Sequence, residues 1–85
     1  MDRIQEMTLF AALAEHTSFA GVARHAGLST ATVTRAVASL ERRLGILLVV
    51  RTTRNMRLTE AGQRFAVDCR RLIADLYEAE NAAGG

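Results

Sequence analysis

Eleven arginines supply every fixed side-chain positive charge in this 85-residue chain, which has no lysine, and their placement is uneven. Residues 29–57 hold six of them against Glu41 alone, whereas residues 1–28 carry two against three acids and residues 58–85 three against five. A net charge of +2 is too small by itself to announce a nucleic-acid partner, so the concentration in the middle third carries the information. Arginine's planar fork suits bidentate contact with phosphate and with guanine edges. An all-arginine bias also follows from genome composition, so position weighs more than residue type.

Catalysis finds no candidate among the reactive side chains. His16 and His25 have no cysteine or carboxylate cluster at ligand spacing, and the sequence has no glycine-rich phosphate loop. Cys69 lies on an apolar helical seam, where a cysteine is more often a small core residue than a nucleophile. The expectation is therefore no enzyme, no cofactor and no metal. One cysteine cannot form an internal disulfide, and the longest unbroken apolar run, Ile46 to Val50, is too short for a bilayer span or a signal-peptide core. A soluble, cytoplasmic chain without a membrane partner is expected.

The elements that must position the arginines can be read from caps and periodicity. The length allows one small domain, with room for a protruding element but not for a second core. Asp2 can cap a first helix ending near His16, with apolar positions Ile4, Met7, Phe10, Ala11 and Ala14 at three- and four-residue intervals. Thr17-Ser18 offers a new cap for a short helix from Phe19 to Ala26 that stops at Gly27. Ser29 then caps a third helix from Thr30 to Leu44, stopped by Gly45, and the pair makes a helix-turn-helix.

In that third helix Val33, Val37, Leu40 and Leu44 form an inward stripe. Ala31, Arg35, Ala38 and Arg42 lie opposite, with Thr32 and Ser39 beside them. A face of small residues and arginines can lie deep in a groove, where a solvated face would more often carry long Glu and Lys side chains. Ile46–Val50 and Met56–Leu58 predict a two-stranded ribbon, a wing with Arg51, Arg54 and Arg57 around its tip. Thr59 can cap a long helix to about Ala83, in which Phe65, Cys69, Leu72, Leu76, Ala79 and Ala83 follow alternating four- and three-residue steps. That seam calls for a partner helix, and the expected organisation is a DNA-binding unit over 1–58 and a dimerising helix over 59–83.

Taken together, Ser18-Phe19, Ala23, Leu28-Ser29, Val33-Thr34, Leu40-Glu41, Leu44-Gly45, Leu48, Arg51, Arg54, Leu58-Thr59 and Ala61-Gly62 resemble the amino-terminal domain of LysR-type transcriptional regulators. The resemblance runs from about Met1 to Glu80. It implies a mostly α fold, a winged helix-turn-helix with a long linker helix that pairs two subunits antiparallel, and a recognition helix at 30–44. It further implies double-stranded DNA as partner, an interrupted inverted repeat as site, and a small-molecule effector acting through a larger domain that these 85 residues do not encode. On this reading the chain is the DNA-binding fragment of a longer bacterial regulator. Ser29, Thr30, Ala31, Thr32, Thr34, Arg35, Arg51, Thr52 and Arg54 are the expected nucleic-acid contacts, with Arg35 on a base edge and Arg54 on phosphate or the minor groove. Phe65, Cys69, Leu72, Leu76 and Ala79 are the expected dimer interface.

The turn departs from the family pattern Ser-Gln-Pro-Ala, reading Ser29-Thr30-Ala31-Thr32, so base preference does not transfer. Val49 stands where a phenylalanine is usual, and Gly21-Val22 where a small pair is usual. Two readings stay open for Arg51, a nucleic-acid contact or a pair with Glu41 inside the fold. Arg42 and Arg43, in the last turn of their helix, complement its dipole. The rival reading from another class is a dimerising adaptor whose winged helix binds protein.

Overall fold

A computed structural model describes residues 1–52 and 55–84. Four helices, α1 (Arg3–His16), α2 (Phe19–Ala26), α3 (Thr30–Leu44) and α4 (Glu60–Gly84), enclose one core, and a ribbon of β1 (Val49–Arg51) and β2 (Met56–Leu58) separates α3 from α4. The helix starts follow from local chemistry. Asp2 and Gln5 form a reciprocal capping box, Ser18 accepts from the Gly21 amide and Ser29 from the Thr32 amide, each satisfying a donor that the helix leaves unpaired. Gly27 and Gly45 end α2 and α3 at φ of 72° and 71°, the left-handed conformation that makes glycine the preferred stop.

The core is built from Phe10 and Leu13 of α1, Val22 of α2, Val33, Val37 and Leu40 of α3, Leu48, and Ala66 and Cys69 of α4. Two inward stripes differ from the sequence expectation. In α1 the covered positions are Glu6, Leu9, Phe10 and Leu13, while Ile4 is exposed. In α3 Ala36 joins Val33, Val37 and Leu40, and Leu44 is 43% exposed because its turn outruns the core, which Leu48 closes instead.

The ribbon is shorter than the apolar run suggested. Ile46 and Leu47 are exposed, and pairing begins only at Val49 opposite Leu58. The reason lies in where the preceding backbone groups are satisfied. The Leu48 and Val49 amides donate to one carboxylate oxygen of Glu41 at 2.8 and 3.2 Å, while the Leu47 and Leu48 carbonyls accept from the Thr59 hydroxyl and amide at 2.8 and 3.0 Å. Residues 46–48 are therefore a strap tying α3 to the start of α4, not a strand.

Thr59 caps α4, accepting from the Gly62 amide at 3.0 Å. The side of α4 turned to the core carries Gly62, Ala66 and Cys69, with Ile73 half-buried beyond them. At about 100° per residue this stripe is centred about 80° around the helix from Leu72, Leu76 and Ala79. The expected single seam is thus two. Cys69 is fully covered within this single chain, and Phe65 packs on Phe10 with ring centroids 5.8 Å apart, so both belong to the domain's own core. Leu72 and Ala79 remain exposed and Leu76 half so, on a helix that stretches the molecule to 46 Å against 26 and 20 Å in its other dimensions.

Candidate nucleic-acid interface

The outward side of α3 is organised along its length. Ser29 and Thr32 share a hydroxyl hydrogen bond of 2.8 Å, and an Arg35 Nη donates to the same Thr32 oxygen at 3.4 Å. Three side chains at successive turns thereby form one polar line, with Thr30 and Ala31 exposed beside it. Further along, Arg42 is exposed and Ala38 and Ser39 are half-buried. The only acid of α3, Glu41, is withdrawn from this face by its bonds to the Leu48 and Val49 amides.

The same arrangement settles the open pairing of Arg51. Its partner is not Glu41. The guanidinium sits over the Phe19 ring, with Cζ 4.1 Å from the centroid, and donates to Thr34 Oγ1 at 3.4 Å. Thr52 is turned into the ribbon, where its hydroxyl donates to the Asn55 carbonyl and accepts from the Asn55 amide, each at 3.0 Å. Arg54 lies outside the described residues. The expected contacts that the structure brings to one side are thus those of α3 and Arg51. Among the described residues the salt bridges leave Arg35, Arg42 and Arg51 without an acidic partner.

Arg43 behaves differently from its neighbour and from the dipole reading. It reaches across to Glu6 of α1 at 2.6 Å, and the Glu6 side chain is only 5% exposed. Nothing in the sequence marks that pair except the position of Glu6 inside an apolar helix. Arg43→Ala should cost about 1–3 kcal/mol in denaturant unfolding, because a buried carboxylate loses its partner. Arg42→Ala, at an exposed site, should stay within about 0.5 kcal/mol. Equal small losses would return Arg43 to the role of a dipole partner.

Burial, reinforced by the adjacent Asp68 charge, pushes the Cys69 thiol up to about 11, so it stays protonated and unreactive at neutral pH. No described helix is long and apolar enough to cross a membrane.

A helix-turn-helix with a two-stranded wing and an arginine-bearing, groove-fitting face on its second helix defines the class of winged helix DNA-binding domains. The family described as bacterial regulatory helix-turn-helix proteins of the lysR family matches residues 4–63, and the chain belongs to it. An HTH-type transcriptional regulator of Xanthomonas campestris pv. campestris is 42% identical over 81 residues, covering 95% of this chain and 24% of that protein. The transcriptional activator AaeR of Escherichia coli K12 is 35% identical over 78 residues, covering 92% and 25%. The chain therefore spans about a quarter of the length of these relatives, which are transcriptional regulators. Among solved structures, the CbnR DBD–DNA complex superposes with a TM-score of 0.91 at 30% identity, covering 98% of this chain and 94% of that one.

Proposed function

We propose that this chain binds duplex DNA sequence-specifically as a homodimer, with α3 in the major groove and the wing beside it against phosphate or the minor groove. The observation that carries the reading is the line Ser29–Thr32–Arg35 on the exposed side of α3, flanked by Arg51 and free of acids. The similarity to a solved DNA complex supports it. Thr30, Ala31, Thr32 and Arg35 are the base-reading group, and Ser29, Arg51, Thr52 and Arg54 the backbone group. Residues 1–58 supply the contact, residues 59–83 the pairing of subunits, and the exposed strip Leu72, Leu76 and Ala79 the surface on which they meet. The chain acts by binding and not by catalysis, in the cytoplasm, and any effector control resides in a longer parent protein.

Selection of bound duplexes from a random pool tests this directly, followed by titration of the selected site and of random DNA at several salt concentrations. Arg35→Ala should weaken specific binding by about 1–3 kcal/mol and relax preference at one base pair per half-site, as loss of a bidentate base contact does. A variant that keeps the parent's specificity ratio would reduce Arg35 to a phosphate contact or a spectator. Binding that ignores salt, or no binding to any duplex, would favour the protein-binding adaptor.

A further inference from the structure

Arg51 leaves the ribbon beside a shallow notch of about 250 Å³, between the start of α2, the first residue of α3 and the wing, whose polar lining includes Ser18, Thr30 and Thr52. The side chain is exposed, yet two elements hold it. Phe19, itself 6% exposed and fixed in the core, presents its ring under the guanidinium, and Thr34 takes one N–H from the side. A guanidinium over an aromatic face uses that face for attraction and keeps its in-plane N–H donors for hydrogen bonds. Among the described residues the Arg51 side chain has one hydrogen bond, to Thr34, and no described carboxylate pairs with it. The arrangement therefore holds a charged fork in place and leaves most of its donors without a partner among the described residues.

We propose that Phe19 and Thr34 are positioning residues that hold Arg51 ready for a DNA phosphate at the mouth of this notch, an inference that rests on the DNA-binding reading above. Thr34 accordingly acts through Arg51 and does not read a base. Restricting a long side chain before binding lowers the entropy lost on contact, so the device strengthens binding to every sequence alike and leaves base preference untouched.

The test is a double-mutant cycle on the 85-residue chain, with affinity for one duplex measured against salt and the folded fraction followed by circular dichroism. Arg51→Ala should weaken binding and lower the salt slope by about one per subunit, because one phosphate neutralisation is lost. Phe19→Leu should weaken binding roughly three- to fivefold with the slope unchanged, since the charge remains. In the Arg51→Ala background Phe19→Leu should have no effect on affinity. Thr34→Val, which keeps the shape of a half-buried helix position, should repeat that pattern on a smaller scale and serves if Phe19→Leu compromises folding. Equal losses with and without Arg51 would overturn the positioning role and leave Phe19 a core residue only. A parent chain that binds no duplex removes the DNA-binding reading itself, a result separable from the cycle.

Discussion

Gly62→Ala is expected to destabilise the purified domain severely, although helix propensity alone argues the opposite. Alanine inside a helix is favoured over glycine by up to about 1 kcal/mol, so an exposed Gly62 would be a site for stabilisation. Here a β-carbon would stand 2.1 Å from the Leu48 carbonyl oxygen and 3.0 Å from its carbon. The obstacle is backbone, and that backbone is fixed at every point. The Leu48 amide is bound to Glu41, its carbonyl to the Thr59 amide, and its side chain is almost fully buried. To admit the methyl group, α4 must lift from the strap, which breaks the Thr59 cap and uncovers Ala66 and Cys69 together. A forced displacement of that kind costs about 1–3 kcal/mol or more, and a domain this small starts near the lower end of the usual 5–15 kcal/mol. Thermal and urea unfolding followed by circular dichroism give the answer. A midpoint equal to or above the parent's would mean that propensity decides and that the strap moves freely.

The four helices were legible because each announces its start, and α2 and α3 their ends as well. Asp2, Ser18, Ser29 and Thr59 are side chains that satisfy helix amides locally, and Gly27 and Gly45 are the residues that reverse the chain, so no tertiary knowledge is needed. Facing was harder. In α1 the run Leu9-Phe10-Ala11-Ala12-Leu13-Ala14 surrounds the helix with apolar groups, and periodicity cannot choose among its sides. The choice is made by α3 and α4, which pack on Leu9, Phe10 and Leu13 and cover Glu6 once Arg43 neutralises it. The apolar run Ile46–Val50 read as a strand because β-branched residues fit one, but hydrogen bonds to Glu41 and from Thr59 take the groups a strand would use. Of the candidate interface, the exposed face of α3 was visible from spacing. The seat of Arg51 on Phe19 was not, since it joins residues 32 positions apart on elements whose meeting only the fold determines.

Leu72→Glu should abolish the dimer while sparing the monomer's fold. A helix of 25 residues is about 37 Å long, and the core of this domain covers its inner side only as far as Ile73. Leu72 is 46% exposed, one turn beyond Cys69 and about 90° around the helix from the centre of the buried stripe, so its replacement removes no fully buried group. Leu76 and Ala79 continue the same line, at the four- and three-residue steps that keep a seam straight against a second helix. Opposite the buried stripe, and about 100° around the helix from this line, lie Arg71, Asp75 and Glu78, a polar surface that needs no cover. If two copies meet along Leu72, Leu76 and Ala79, a glutamate at the centre must be desolvated at the interface, or the helices must part, and the charged side chain recovers its hydration only in the monomer. The unfolding midpoint of the monomer, measured at low protein concentration where association does not contribute, should be nearly unchanged. Sedimentation then separates the alternatives: a dimeric parent with a monomeric variant supports the exposed strip as the interface, whereas a Leu72→Glu chain as dimeric as its parent places the subunit contact elsewhere. Because half-site spacing follows the distance between paired domains, the monomeric variant should also lose the cooperative occupation of both half-sites while each single half-site still binds weakly.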